Sequence, residues 1–150
     1  MNVFEAFQEL ISRLENTGIR YALVGGVALA FHTQARFTRD IDLLVHSDDF
    51  DQIHKFLLNE GYFESAEPWT FSNVAIELHR FLKPAPPDDQ MMIDILVAND
   101  DCVAKIIDDA LEAESDQGSV RVANKEALIW LKRTRNSKQD QADIESLENE

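Results

Sequence analysis

The first 18 residues place apolar side chains on one face of a helix, at positions that recur every three or four residues. Asn2 followed by Glu5 has the spacing of an N-terminal capping pair, and Gly18 is typical of a residue that follows a helix. We therefore predict a first helix that ends before Gly18. Its buried face consists of Val3, Phe7, Leu10, Ile11 and Leu14.

A short apolar run over residues 21–24 ends at Gly25 and Gly26, a pair that favours a turn. This pattern predicts a strand, a glycine turn and a short helix over 27–32. A second strand is predicted over 38–45.

A helix is predicted next, because Ser47 is a suitable N-cap and Gly61 a suitable residue for its end. Residues of this segment recur at helical spacing, so they should share one buried face. That face consists of Phe50, Ile53, Leu57 and Leu58.

The rest of the chain alternates strands and helices. Apolar residues at helical spacing, Leu111 among them, predict a helix over 101–113, and Asn124 is expected to cap another that runs to about Lys132. Residues 84–89 are predicted to form a loop, because prolines cannot donate to a strand ladder. Further strands are predicted over 62–65, 70–71, 74–82, 91–97 and 120–122.

No internal repeat, low-complexity tract or break in composition divides the 150 residues, so we predict one domain over 1–150. Residues 140–149 have helical spacing at Ile144 and Leu147 but few other apolar positions. The stretch 139–150 is therefore predicted to be a C-terminal helix whose end frays.

Net charge is the unusual feature of the composition. Hydrophobic residues make up 45% and charged residues 28%, as in ordinary globular proteins, but 14 basic and 28 acidic residues leave a net charge of −14. A chain of that sign repels a phosphate backbone at long range. Indiscriminate binding to nucleic acid or to anionic membranes is therefore disfavoured.

Membrane and secretory signals are also missing from the sequence pattern. The longest uncharged stretch, 21–35, is shorter than the roughly 20 residues of a spanning helix, and Glu5 stands where a signal peptide would be basic. The single Cys102 excludes an intramolecular disulfide, which agrees with a reducing compartment. We expect a soluble, cytoplasmic protein with no membrane partner.

Two acidic residues begin the strand predicted over 38–45. Strand side chains alternate between faces, so Asp40 and Asp42 point to one side while Ile41 packs on the other. Like charges at that distance are costly unless a cation neutralises them, and hard oxygen ligands suit Mg²⁺ or Mn²⁺. The pattern by itself also fits a strand end whose acids face water.

One acidic residue, Asp94, interrupts the otherwise apolar strand predicted over 91–97. An unpaired carboxylate there would be costly, so Asp94 needs a partner. If this strand lies beside Asp40 and Asp42, the three carboxylates form a cluster that can hold one or two divalent ions. The alternative is that Asp94 pairs with Arg80, Arg121 or a backbone amide.

The glycine pair and two residues before Asp40 are candidates for phosphate binding. Gly25 and Gly26 would let a ligand approach the backbone closely at the start of a helix, although a tight turn explains them equally. Arg36 and Thr38 alternate in phase with Asp40, so their side chains would point to the same side. A solvated arginine is the alternative for Arg36.

Taken together, these stretches resemble the minimal nucleotidyltransferases of the DNA polymerase beta superfamily, and most closely the AbiEii-like bacterial proteins. The family motif is a glycine pair or Gly-Ser opening a helix, then an Asp-x-Asp strand, then a third acid on a neighbouring strand. Here it covers about residues 21–97. The matching stretches are Val24-Gly25-Gly26-Val27-Ala28, Arg36-x-Thr38-x-Asp40-Ile41-Asp42-Leu43 and Asp94.

The resemblance implies an α/β (α+β) fold, in which a mixed β-sheet is flanked by helices. It also implies Mg²⁺ or Mn²⁺ as the cofactor and a nucleoside triphosphate whose phosphates lie on Gly25 and Gly26. The implied metal ligands are Asp40, Asp42 and Asp94.

AbiEii-like proteins also carry a lysine followed eight positions later by an aspartate, which is similar to Lys132 and Asp140. The resemblance implies a catalytic role for Lys132 and a nucleotide contact for Asp140. Residues 119–138 contain six basic and one acidic residue, in contrast to the acidic remainder. Such a stretch suits a triphosphate or an RNA end, and it also fits the ordinary basic end of a helix.

The function that the resemblance implies is transfer of a nucleoside monophosphate from a triphosphate to an acceptor hydroxyl. Asp94 would help to bind the metal near the attacking oxygen, and Lys132 and Arg36 would offset charge on the phosphates. The acceptor stays open among a tRNA end, a protein side chain and a small molecule. A cognate toxin or antitoxin protein is a further implied partner.

A second interpretation follows from Val27, which stands where many relatives have a serine that contacts a phosphate. It is a catalytically weak or inactive nucleotidyltransferase-fold module that acts as a nucleotide sensor or a protein-interaction partner. A third is a mixed α/β domain whose acidic residues are structural.

Overall fold

The computed structural model of the protein describes residues 3–25, 40–65, 67–70, 75–85, 89–115 and 118–135. Its helices are α1 (Val3–Glu15), α2 (Phe50–Asn59), α3 (Asp101–Asp108) and α4 (Lys125–Arg135). The helices predicted over 27–32 and 139–150 lie outside the described residues. The strands are β1 (Tyr21–Val24), β2 (Asp40–His46), β3 (Phe63–Glu64), β4 (Trp69–Thr70), β5 (Ile76–Ala85), β6 (Asp89–Ala98), β7 (Leu111–Ser115) and β8 (Gly118–Val122).

All eight strands belong to one mixed sheet. The strand order is β3-β5-β6-β2-β1-β8-β7, and β4 pairs with β5 beside β3. The β2·β6 and β1·β8 pairs are parallel, and the other pairs are antiparallel. A mixed sheet with flanking helices confirms the expected α/β class. Within the described residues, no helix is long and apolar enough to cross a membrane.

The central strands present two faces of different chemistry. On one face, Ile41, Ile93 and Phe81 of β2, β6 and β5 are almost fully buried. We call this the helix face, because α2 packs on it: the Phe50 ring lies 4.3 Å from the ring of His79, centroid to centroid. The opposite face carries Asp42, Asp94 and Arg80 in register on the same three strands. We call it the site face.

Helix α1 forms as its pattern predicts. The apolar positions Phe7, Leu10, Ile11 and Leu14 are all buried in the core, whereas the side chain of Val3 lies outside the described part. Two other helices begin at side-chain caps. Asp100 Oδ1 accepts from the Val103 N–H at 2.8 Å, and Asn124 Oδ1, as predicted, accepts from the Ala127 N–H at 2.8 Å.

The start of α2 differs from the prediction. Ser47–Asp49 form a turn of 3₁₀ helix, so the α-helix begins at Phe50 rather than directly after Ser47. The side chain that caps this turn is His46, whose Nδ1 accepts from the Asp48 N–H at 3.2 Å.

The end of α2 is the predicted one. Gly61 has a φ of +93°, and its N–H and that of Tyr62 donate to the carbonyls of Leu58 and Leu57. This double hydrogen bond is the Schellman arrangement, which favours glycine at that position. Leu58, however, is 48% exposed, so its predicted place on the buried face is wrong.

The helix predicted over 101–113 is too long. Helix α3 ends at Asp108, and the chain enters β7 at Leu111, which is 51% exposed and not in the core. β7 pairs antiparallel with β8 along its whole length. Local apolar spacing cannot register that partner, which explains why the helical pattern extended the prediction too far.

The predicted loop over 84–89 is also too long. β5 continues through Pro84 to Ala85, which pair with Gln90 and Asp89 of β6. The pairing of β5 with β3 ends at Leu82, so β6 is the partner that remains at Pro84 within the described strands. A proline is tolerated at such a sheet edge, because no second strand needs its missing N–H.

Candidate functional site

The sheet register brings the two predicted site acids Asp42 and Asp94 together. β2 and β6 run parallel with Asp42 opposite Asp94, and neighbouring strands lie about 4.8 Å apart. Residues in register point to the same face of a sheet, so both carboxylates lie on the site face. The row continues with Arg80 on one side and Val24 on the other.

Asp94 is buried and makes a bidentate ion pair. Its side chain is 7% exposed, and Arg80 donates from Nε to Oδ1 at 2.9 Å and from Nη2 to Oδ2 at 3.1 Å. This is one of the pairings that the sequence left open as an alternative to a carboxylate cluster. The structure shows that pairing and also places Asp94 beside Asp42.

Gly25 makes room for the Asp42 carboxylate. Gly25 follows β1 with a φ of +73°, which favours glycine, and a Cβ atom added there would overlap Asp42 Oδ2 and lie 2.9 Å from its carboxyl carbon. The close approach arises because Val24 is the cross-strand partner of Asp42. A side chain at position 25 would therefore displace the carboxylate.

Helix α4 brings Lys132 to the same place. Lys132 is 4% exposed, and it lines a small pocket of about 30 Å³ together with Gly25 and Asp42. The remaining lining residues are apolar: Val24, Leu96, Leu128 and Leu131. Three of the predicted site residues thus line one pocket: Gly25 after β1, Asp42 of β2 and Lys132 of α4.

The remaining predicted site residues are only partly placed. The backbone of Asp40 lies in β2 opposite Met92, but its side chain is outside the described part, so the third carboxylate is not located. Gly26, Arg36, Thr38 and Asp140 lie entirely outside the described residues. Among the described side chains, no group of three or more His, Cys, Asp or Glu could hold a metal ion.

Arg80 is the residue of the site that the sequence indicated only as an alternative partner. Its position opposite Asp94 follows from the β5–β6 hairpin, in which Ala85 pairs with Asp89. The proline-containing stretch 84–89 indicates a connection between two strands, but it does not by itself specify that register.

The family comparison agrees with this geometry. Residues 1–126 match the model of a family described as "Uncharacterised nucleotidyltransferase". The chain belongs to this nucleotidyltransferase family. This match confirms the nucleotidyltransferase superfamily and the prediction that the protein is an enzyme. The matched region includes Gly25, Asp42 and Asp94 and ends before Lys132.

Solved structures with the same fold are distant in sequence. The nucleotidyltransferase is similar to the lincomycin-bound lincosamide antibiotic adenylyltransferase LnuA, with a TM-score of 0.68, 15% identity, and 96% of this chain and 95% of that chain covered. An antigenic nucleotidyltransferase-like protein from Paracoccidioides brasiliensis has a TM-score of 0.62 and 18% identity, with 97% and 74% covered. ANT(2'')-Ia in complex with adenylyl-2''-tobramycin has a TM-score of 0.56 and 13% identity, with 97% and 86% covered.

A comparison with curated protein sequences finds no match to the nucleotidyltransferase. At identities below 20%, the structural similarities establish the fold. The reaction and its acceptor therefore have to be argued from the site itself.

Proposed function

We propose that the protein transfers a nucleoside monophosphate from a nucleoside triphosphate to an acceptor hydroxyl, at the pocket beside Asp42, Asp94 and Lys132. The acceptor oxygen forms a bond to the α-phosphorus, the bond from that phosphorus to the bridging oxygen breaks, and pyrophosphate leaves. One observation carries the proposal: Asp42 and Asp94 stand in register on parallel strands, and buried Lys132 lines a pocket together with Asp42.

The donor set of the site suits a hard divalent cation. Asp42 and Asp94 offer carboxylate oxygens on one face of the sheet, and Asp40 is proposed as the third ligand. Two adjacent carboxylates favour a cation between them. When bound, Mg²⁺ or Mn²⁺ would neutralise charge on the triphosphate and on the attacking oxygen.

The chain's own residues divide the remaining work. Gly25 leaves the space in which the Asp42 carboxylate lies, and Lys132 offsets negative charge on the phosphates. Asp94 is proposed to accept the proton of the acceptor hydroxyl. Contacts of Gly26, Arg36, Thr38 and Asp140 with the nucleotide remain proposals from the sequence motif.

The acceptor is proposed to be a small molecule, ahead of a tRNA end or a protein side chain. The observation that favours it is the fold similarity to LnuA, an antibiotic adenylyltransferase, which covers 96% of this chain and 95% of that chain. The AbiEii-like assignment, a toxin or antitoxin partner and a cytoplasmic location stay predictions of the sequence.

The test is pyrophosphate release from each of ATP, GTP, CTP and UTP, with and without Mg²⁺, in the presence of an antibiotic panel, total tRNA or cell lysate. Wild type should release pyrophosphate. The α-phosphate label should move from the nucleoside triphosphate into a new small-molecule product, the nucleotidylated acceptor. Asp42→Asn should abolish transfer, whereas Asp51→Asn, an exposed acid of α2, should retain it. Nucleotide binding without release in all mixtures would instead support the inactive module.

A further inference from the structure

We propose that Arg80 is a positioning residue for this site: it holds the Asp94 carboxylate in the orientation that metal binding requires. The inference rests on the proposed function, since it gives Arg80 a role through Asp94 and no contact with substrate.

The geometry of the pair is that of an oriented ligand. Both Asp94 oxygens accept hydrogen bonds from one planar guanidinium, at 2.9 and 3.1 Å, so neither rotation of the carboxylate nor another rotamer preserves the contact. The two residues are direct cross-strand partners in the β5·β6 ladder, so the backbone fixes both ends of the pair. The Asp94 side chain is 7% exposed, against 37% for Arg80.

The pair leaves Asp94 able to bind a cation. A carboxylate has about four lone-pair positions on its two oxygens, and Arg80 uses one on each. The oxygens can therefore accept from Arg80 on one side of the row and face Asp42 on the other. Hydrogen-bonded partners of this kind orient metal ligands, and their loss typically costs 10- to 100-fold in metal affinity or activity.

A simple counter-ion would behave in the opposite way. If Arg80 only supplied positive charge beside Asp94, its removal would strengthen cation binding, because a competing cation would be gone. A positioning role predicts weaker binding on removal. The sign of the change in metal affinity therefore separates the two roles.

The test is a titration of the full chain with Mn²⁺ alone, followed by electron paramagnetic resonance of the unbound ion. Arg80→Gln should weaken Mn²⁺ binding by about 10- to 100-fold, and Arg80→Lys should fall between Arg80→Gln and wild type, because an ammonium makes a point contact instead of a fork. Arg20→Gln is the matched control: it removes an exposed arginine that pairs with Asp49 and should leave binding unchanged.

A double-mutant cycle shows whether Arg80 acts through Asp94. Asp94→Asn should weaken binding, and adding Arg80→Gln to it should change the Mn²⁺ affinity less than about 2-fold, since the two residues act as a unit. This double variant also removes the buried charge that Arg80→Gln alone would leave, so it serves as the folded reference. Circular dichroism and thermal unfolding of every variant verify the fold.

Each outcome decides the matter. Equal or tighter Mn²⁺ binding by folded Arg80→Gln, or full additivity in the cycle, overturns the positioning role. No Mn²⁺ binding by wild type overturns both this role and the metal site. The expected pattern without pyrophosphate release by wild type keeps the role of Arg80 and rejects the transfer reaction alone.

Discussion

The two faces of the central sheet each bury a charged or polar cluster, and the clusters differ in what surrounds them. On the site face, Asp94 is paired with Arg80 and adjoins Asp42 near the pocket of Lys132. On the helix face, His79 is 7% exposed and lies between two glutamates, with Nδ1 at 3.0 Å from Glu64 Oε1 and Nε2 at 2.5 Å from Glu77 Oε1.

In the helix-face cluster, the polar side chains contact one another. The His79 ring contacts the Phe50 ring in a tilted arrangement, with 4.3 Å between centroids, and both ring nitrogens face carboxylate oxygens. The site-face cluster instead borders a pocket. At the edge of that pocket, the Asp42 carboxylate occupies the space that a Cβ atom at Gly25 would need. Burial of polar groups is therefore common to both clusters, whereas an adjoining pocket distinguishes the site face.

The largest expected contrast comes from neutralising one acid on each face. Asp94→Asn should lower turnover at least about 100-fold, because it would remove the charge of a proposed metal ligand. Glu77→Gln on the helix face should leave turnover of the folded protein unchanged. Pyrophosphate release per folded molecule measures both, and equal losses in the two variants would contradict the division of the faces.

Two glycines with similar positive φ angles allow the steric effect of a side chain beside Asp42 to be separated from its effect on the backbone. Gly25→Ala should reduce turnover about 100-fold, because the new Cβ displaces the Asp42 carboxylate, and displacements of about 1 Å cost that much. Gly18→Ala is the control: its φ is +78° against +73°, but a Cβ there meets nothing within 4 Å.

Both alanine variants should lose about 1–2 kcal/mol of unfolding free energy from the left-handed backbone, measured by denaturant titration. Only Gly25→Ala should lose activity as well. Full activity in folded Gly25→Ala would show that the position of Asp42 does not depend on this glycine.

Removing the histidine of the helix face should affect stability alone. His79→Leu should lower the unfolding free energy by about 1–3 kcal/mol, because hydrogen bonds with Glu64 and Glu77 are lost. Mn²⁺ affinity and turnover per folded molecule should equal those of wild type. A loss of Mn²⁺ binding would mean that the two faces are coupled.

The smallest effect concerns alkaline stability. Burial, followed by the negative charge of Glu60, raises the pKa of Tyr62 from 10.0 to about 12. Folding thus favours the neutral phenol, so this stabilisation is fully present below pH 10 and is lost as the pH rises towards 12. Denaturant titrations at several pH values should show the decline.

Tyr62→Phe should flatten that decline without removing it. Burial and the hydrogen bond to Glu15 also raise the pKa of Tyr21, so a second tyrosine contributes in the same direction. An identical slope in wild type and Tyr62→Phe would exclude Tyr62 as a source. Neither tyrosine lies on the site face, so the site face should contribute nothing to the difference in alkaline stability between wild type and Tyr62→Phe.

Local chemistry and a motif were enough to indicate that Asp42, Asp94 and Lys132 lie close together. An acid inside an apolar strand, such as Asp94, needs a partner, and alternation put Asp42 on one face of its own strand. Lys132 came from the family resemblance, and the structure places it at the pocket with Asp42. These residues carry their signal in their immediate neighbours or in a motif.

Pairing between distant segments was harder to predict. The alternatives for Asp94 included Arg80, but choosing it requires the register of the β5–β6 pairing, which local spacing does not specify. The edge strand β7 was predicted as part of a helix because its partner β8 is not visible in local spacing. The exposure of Leu111 was not predicted for the same reason.

The alternation of β5 between the two faces has a consequence for folding. Its adjacent residues His79 and Arg80 serve opposite faces, with partners Glu64 and Glu77 for one and Asp94 for the other. A slip of this strand by one position would exchange them, bringing the guanidinium among apolar side chains and leaving Asp94 facing a different residue. The two polar clusters thus favour one alignment of the strand, and misaligned intermediates are penalised on both sides of the sheet at once.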